Sequence, residues 1–256
     1  MSQPKIFVIN LDRSPDRLEL MSQQLSGLGI DFERFPAIAG RNLPGELAEQ
    51  FATADLLSDG EVGCYASHLS VAKRVVDEKL AYATVLEDDV TIASDLEKAC
   101  AEVANCAPDD WHIIHIAAEP KRSAVRLADL GTRELVKFSR VPTNAAGYMI
   151  SYAGAQKLIA PRIRTLPIDV EVRHYAVSGL DVYGVMPSLV VQNTSGVSMI
   201  GTGRHWRTYV TPTQKLIEAH HLYSKVGLLK YLAVTAANMD GAMRRCIFGE
   251  QRIRVL

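Results

Sequence analysis

The chain has little cysteine and none of it is patterned: Cys64, Cys100, Cys106 and Cys246 are scattered, with no CxxC and no zinc-ligand spacing. In 256 residues this excludes a disulfide framework and fits reduced thiols in a reducing compartment. An excess of charge of one sign is also missing. The 28 Lys and Arg against 29 Asp and Glu leave a net charge of −1, so the surface as a whole offers no field to nucleic acid. Long hydrophobic runs are absent as well. The best candidate, Val226 to Ala237, is broken by Lys230 and falls short of the ~20 residues that a spanning helix needs. The apolar stretch Ile6 to Ile9 is too brief for a signal-peptide core, which predicts no secretion address. Neither glycine-rich phosphate loop, GxxxxGKS/T or GxGxxG, occurs, which counts against ATPase and NAD chemistry. Without a Gly-x-Ser-x-Gly elbow, a serine-hydrolase triad has no nucleophile motif to start from.

What is present is an ordinary globular composition, 48% apolar and 22% charged. Lys5 to Leu11 is a short β-branched and aromatic run that predicts a buried strand, and Ser14 with Pro15 predicts a helix start. Leu18, Met21, Leu25 and Leu28 continue that helix at apolar spacing until Gly29. Asp31 to Ile38 is extended. Ser58-Asp59-Gly60-Glu61 fits a capping box, followed by an inward face of Val62, Tyr65, Leu69, Ala72 and Val76. Further strands are predicted at Tyr82 to Leu86, Trp111 to Ala117, Glu134 to Phe138, Ala145 to Ser151, Asp181 to Met186 and Ser188 to Gln192, with helices at Asp95 to Val103 and near Gly154 to Ile159. Glu119 to Gly131 reads as a mobile loop, of the kind that covers substrates. The order of elements predicts a single α/β domain with a mainly parallel sheet over residues 1–210 and a helical extension over 211–256. No internal repeat or linker interrupts it.

The sharpest chemical signal is Glu87-Asp88-Asp89 at the end of an apolar strand. Alternation puts Glu87 and Asp89 on one side and Asp88 on the other. Carboxylates this close repel, so they stand either in a solvated turn or around a divalent cation or basic group. Oxygen ligands at a strand end suit Mg²⁺ or Mn²⁺. After the first strand, Arg13 and Arg17 lie four residues apart beside a helix start, suited to a diphosphate or to surface pairing with Asp12, Asp16 or Glu19. Ser67 and His68 sit inside the capped helix, where a lone histidine is usually structural, and Cys64, one turn earlier, reads as core. Asp169 and Glu171 follow Pro167 and suit a general base if they face the acidic triplet, although Asp169 is equally a helix N-cap. His205, after the Gly196, Gly201 and Gly203 loop, is a candidate to close over a metal or phosphate. From Lys215 onward, seven basic residues stand against three acidic ones, next to Leu228, Leu229, Leu232 and Met239. Such a tail either docks on the domain or lies on an anionic membrane surface.

Taken in order, several segments resemble glycosyltransferase family 25, which includes lipopolysaccharide (lipooligosaccharide) and collagen galactosyltransferases. They are Val8 to Arg13 with Asp16-Arg17, Phe35 to Gly40, Gly60-Glu61-Val62-Gly63-Cys64-Tyr65-Ala66-Ser67-His68, Val85 to Val90, Asn144 to Leu158, Pro167-Ile168-Asp169 and Pro187 to Gln192. The Gly-Glu-x-Gly-Cys-x-x-Ser-His and Glu-Asp-Asp segments in this order are the specific part. The resemblance implies a GT-A-like (Rossmann-like) domain and an inverting, metal-dependent transfer of a hexose, usually galactose, from a UDP-sugar to a glycan hydroxyl. It implies Glu87 and Asp89 as metal ligands, with His205 added from its own position, and Asp88 at the nucleotide. Asn10, Leu11, Arg13, Arg17, Ala37, Ser67 and His68 would lie at the nucleotide site, and Asp169 matches an acidic position that suits the base. Mn²⁺ or Mg²⁺, a UDP-sugar and a glycan or lipid-linked glycan acceptor are the implied ligands. The resemblance also implies a cytoplasmic protein, peripheral at the inner face of a bacterial inner membrane. Ala39-Gly40 departs from the acidic or amide residue that many members carry before this glycine. Two other function classes stay open: a nucleotide-binding or regulatory protein without turnover, and a metal-dependent phosphotransferase, which the missing phosphate loop disfavours.

Overall fold

A computed structural model describes residues 5–40, 42–51, 57–117, 120–193, 211–248 and 253–256. The chain runs through β1 (Lys5–Asn10), α1 (Pro15–Gly27), β2 (Glu33–Pro36), α2 (Gly45–Ala48), α3 (Asp59–Asp77), β3 (Tyr82–Glu87), β4 (Val90–Ile92), α4 (Leu96–Cys106) and β5 (Ile113–His115). It continues with β6 (Ala124–Asp129), β7 (Glu134–Phe138), β8 (Gly147–Ser151), α5 (Tyr152–Ile159), α6 (Ile168–Arg173), α7 (Tyr175–Ser178), β9 (Val182–Met186), β10 (Val190–Gln192), α8 (Pro212–Val226) and α9 (Leu228–Phe248).

Eight strands form one sheet in the order β2-β1-β3-β8-β5-β9-β7-β6, and β10 pairs with β4 in a small ribbon. Strands β2, β1, β3, β5, β9 and β6 run one way; β8 and β7 run the other. This is the mainly parallel α/β sheet expected from the element order. Strand alternation divides the core between the two faces. Phe7, Val85, Ile113, Ile150 and Val182 pack under α3 and α5. Val8, Leu86, Ile114, Met149 and Val185 face α1 and α4.

Local chemistry explains most boundaries. Ser58 and Glu61 form the expected capping box on α3, and Pro15 opens α1, although the Ser14 side chain makes no cap bond there. Val75 rather than Val76 completes the buried face of α3. The expected loop over Glu119 to Gly131 is corrected by β6, an edge strand antiparallel to β7. A bulge between Arg126 and Ala128 breaks its alternation, which hides the strand period from the sequence. The chain terminus completes the edge: Ala124 and Arg126 N–H donate to the carbonyls of Arg254 and Leu256.

Both C-terminal helices dock on the sheet edge. Asp181, at the start of β9, is buried among Lys137 Nζ at 2.6 Å, His221 Nε2 at 3.0 Å and Lys225 Nζ at 2.6 Å. Burial pushes the Asp181 carboxyl up, but His221, Lys137 and Lys225 outweigh it and hold it far below the usual range. On α9, Asn238 accepts from Ser123 N–H at 2.8 Å and donates to Ser139 Oγ at 2.9 Å. Among the described residues, no helix is long and apolar enough to cross a membrane.

Candidate active site

Parallel pairing of β1 and β3 sets Ile9 opposite Glu87, so the C-terminal ends of the two strands lie side by side. Beyond Glu87 the chain turns through Asp88 and Asp89 into β4. Asp88 faces β1. Asn10, buried at the last position of that strand, donates Nδ2 to Asp88 Oδ2 at 2.7 Å and to the Ser14 carbonyl at 2.9 Å. Arg34 Nε donates to Asn10 Oδ1 at 3.1 Å, fixing the amide. From the first turn of α1, Arg17 Nη1 reaches Asp88 Oδ1 at 3.2 Å and Asp89 Oδ2 at 3.9 Å.

Glu87 and Asp89 lie against β10, although Asp88 and Asp89 sit in the turn after β3 rather than in strand alternation. They converge on the amide of Gln192, whose Nε2 stands 3.5 Å from Glu87 Oε2 and 3.3 Å from Asp89 Oδ2. Burial and then the Glu87 charge push the Asp89 carboxyl above its ordinary value. Two oxygen donors that repel each other fit a hard divalent cation such as Mg²⁺ or Mn²⁺. His205, the third expected metal ligand, lies outside the described residues.

Helix α3 forms the opposite wall. Gly63 lets it approach the 37–40 segment: a Cβ there would meet the Ile38 carbonyl at 2.5 Å and the Gly40 nitrogen at 2.8 Å. One turn on, Ser67 Oγ accepts from Ile38 N–H at 2.8 Å and donates to the Gly63 carbonyl at 2.7 Å. His68 is buried, with Nδ1 at 2.9 Å from Tyr148 OH and Nε2 at 3.5 Å from Glu87 Oε1. Cys64 packs against the core as expected and also borders the cleft, its thiol 3.9 Å from Glu87 Oε1. Burial, then the Glu87 and Asp169 charges, push that thiol well above its ordinary pKa.

These walls enclose a cavity of about 350 Å³ lined by Leu11, Arg13, Arg17, Ala37, Ser67, His68 and all three carboxylates of the triplet. Of the expected nucleotide-site residues only Asn10 is not in the lining, and it sits behind Asp88 as its hydrogen-bond partner. Arg13 precedes α1 rather than sharing a helical face with Arg17, because Pro15 starts the helix two residues after it. Arg17 is engaged by the acidic triplet instead of standing ready for an anion alone.

A second cavity, of about 560 Å³, adjoins the first and shares Cys64, Glu87 and Gln192 with it. Asp169, in the first turn of α6, lines this second space together with Arg140 and Arg173. Pro167 takes the N-cap position, so the N-cap expectation for Asp169 is corrected. Burial pushes the Asp169 carboxyl above its ordinary value, the direction that suits a proton acceptor. Glu171 is corrected as well: it is buried against Arg164 Nη1 at 3.1 Å and Arg162 Nη2 at 2.7 Å, away from the cleft. The two acidic residues stand two positions apart, about 200° around the helix, so α6 buries Glu171 while presenting Asp169.

Gln192, Arg34 and Tyr148 were not singled out by sequence. Gln192 ends a strand and carries no motif of its own. Arg34 acts from a neighbouring strand, and Tyr148 reads as core until His68 is seen beside it.

The family described as "Glycosyltransferase family 25 (LPS biosynthesis protein)" matches residues 3–172. Human procollagen galactosyltransferase 2 is 30% identical over 191 residues, covering 66% of this chain and 30% of that one. A bovine relative named probable inactive glycosyltransferase 25 family member 3 is 33% identical over 187 residues, covering 66% and 31%. The chain therefore spans about a third of the length of these curated relatives. Among solved structures, a glycosyltransferase involved in glycosylation of the major capsid of PBCV-1 aligns with 76% of this chain and 95% of its own, at 10% identity and a TM-score of 0.41. Since the family match takes in β1, the 37–40 segment, α3, the acidic triplet and Asp169, the chain belongs to glycosyltransferase family 25.

Proposed function

We propose that the chain is an inverting, metal-dependent hexosyltransferase with a GT-A-like domain over residues 1–210 and a docked helical extension over 211–256. A UDP-sugar, with galactose as the hexose, occupies the 350 Å³ cavity, and a glycan hydroxyl enters from the 560 Å³ cavity. The observation that carries this is the shared wall: Cys64, Glu87 and Gln192 line both spaces, with the acidic triplet in the first and Asp169 in the second. A bound Mn²⁺ or Mg²⁺ at Glu87 and Asp89 would supply charge neutralisation of the diphosphate. Arg13 and Arg17 add positive charge on the same side, where negative charge grows as the sugar–phosphate bond breaks. Asp169 accepts the proton of the acceptor hydroxyl, which attacks the oxocarbenium-like anomeric carbon from the face opposite the leaving group.

The acceptor we propose is a lipid-linked glycan of lipopolysaccharide type, reached at the inner face of a bacterial inner membrane. The family description supports it, as does the C-terminal extension, where Leu216, Leu229 and Met239 are exposed beside basic residues. Such a face suits an anionic membrane surface. A binding protein without turnover is the second reading, favoured by one observation: Arg17 already pairs with Asp88 and approaches Asp89. Chromatography of UDP released from UDP-galactose, with and without lipooligosaccharide acceptor, separates them. Acceptor-dependent UDP release is expected; UDP-galactose bound but never consumed, with a panel of acceptors, overturns the enzyme reading.

A further inference from the structure

The face of Glu87 turned away from Asp89 is built from different chemistry. Its Oε2 stands beside Gln192, whereas its Oε1 stands 3.5 Å from His68 Nε2 and 3.9 Å from Cys64 Sγ. Among the described residues, these three side chains form a group whose ligand atoms all lie within 4.8 Å of one another. Cys64 and His68 are four residues apart on α3, so one helix face presents both, as paired ligands on zinc-binding helices are presented.

We infer that Cys64 Sγ, His68 Nε2 and Glu87 Oε1 form a binding site for a soft divalent cation of the Zn²⁺ class, separate from the hard-cation oxygens of Glu87 Oε2 and Asp89. His68 is 1% exposed, and its Nε2 has no hydrogen-bond partner. An unpartnered buried polar atom is costly, and a cation removes that cost. The other ring nitrogen is held by Tyr148 OH at 2.9 Å, the outer contact that orients metal-bound imidazoles. With the proton on Nδ1 and donated to Tyr148, the Nε2 lone pair is directed at the thiol and the carboxylate.

The distances agree with a tetrahedral ion. Bonds of about 2.0–2.3 Å imply ligand-to-ligand edges of about 3.4 Å for nitrogen to oxygen and about 3.6 Å for sulfur to oxygen. The observed 3.5 and 3.9 Å are close to these, and the remaining edge is within 4.8 Å. Three protein ligands leave a fourth position open, the arrangement of ion sites that take water or substrate. That position faces the junction of the two cavities, because Cys64 and Glu87 line both. A mixed sulfur, nitrogen and oxygen set discriminates against Mg²⁺, which prefers oxygen alone.

The test is optical titration of the full, reduced chain with Co²⁺ in excess Mg²⁺, which needs no sugar donor and so stands or falls apart from the transferase reading. A thiolate-to-cobalt charge-transfer band is expected to saturate at one equivalent and to disappear on adding one equivalent of Zn²⁺. Cys64→Ser should abolish the band, Asp89→Asn should leave it, and Tyr148→Phe should weaken binding ~10–100-fold. If Cys64→Ser does not fold, His68→Gln serves as the second ligand deletion, with loss of one-equivalent binding as its readout. No band in the wild type overturns the site. So does a band that survives Cys64→Ser, because it would arise from exposed Cys106 or Cys246.

Discussion

Asp169 has the narrowest role of any residue in the cleft, and its substitution is the most informative. It lines the 560 Å³ cavity, proposed for the acceptor, and burial raises its pKa. Asp169→Asn is expected to lower turnover ~10²–10⁴-fold while leaving the dissociation constant for UDP within a few-fold of wild type, as checked by calorimetry and initial rates. A base must be ionised to act. The raised pKa therefore predicts that kcat/KM falls on the acid side at a pH above the ordinary carboxylate range, measured as a pH–rate profile. Loss of UDP binding in Asp169→Asn would instead move this residue to the donor site. Motif and position single out Asp169, Glu87, Asp88 and Asp89, and the structure places all four along the two adjoining cavities. The direction of Glu171 was not legible, because it is set by a partner from another segment, Arg164; for Cys64 the core contact was legible and the cleft was not.

Helix α3 and the 37–40 segment form one wall of the 350 Å³ cavity only because they touch. The approach is set by Gly63, with the Ser67 hydroxyl as the clasp. Gly63→Ala places a methyl against the Ile38 carbonyl, a backbone atom that cannot swing aside, and overpacking of this kind costs typically ~1–3 kcal/mol. Expected outcomes are a lower melting temperature and weaker UDP binding together, read by calorimetry and thermal unfolding; a change in neither would mean that the contact is slack. At this scale the sequence was legible where signals are local. The α3 capping box and the strand periods of β1 and β3 are examples. Edge strand β6 was not legible, since its bulge erases the period and its partners are β7 and the distant 253–256 segment.

On the scale of the whole molecule, two buried polar features set stability. Asp181 fastens α8 to the sheet through His221 and Lys225 while pairing with buried Lys137. Asp181→Asn leaves buried Lys137 without its counter-charge, and breaking a buried pair costs about 3–5 kcal/mol. Urea unfolding is expected to show that loss. His115 is fully enclosed, and burial lowers its pKa to about 4 from 6.5. It is neutral in the folded chain, whereas the unfolded chain takes up a proton below pH 6.5. The stability it contributes is present above the unfolded value and is lost as pH falls toward about 4. Between pH 7 and 5 this amounts to about 2 kcal/mol, and His115→Leu should flatten that part of the stability–pH curve. Neither feature has a sequence signal, because Asp181 and His115 meet their surroundings only when β5, β7, β9 and α8 assemble. The proposed cation at the strand-end carboxylates, anchoring a nucleotide sugar, would join these scales. Calorimetric titration of UDP and UDP-galactose, with and without Mn²⁺, into wild type and Asp89→Asn tests it most directly. Binding that requires Mn²⁺ and is lost in Asp89→Asn is the predicted result; absence of binding under every condition would contradict the account and leave Glu87, Asp88 and Asp89 as a solvated turn.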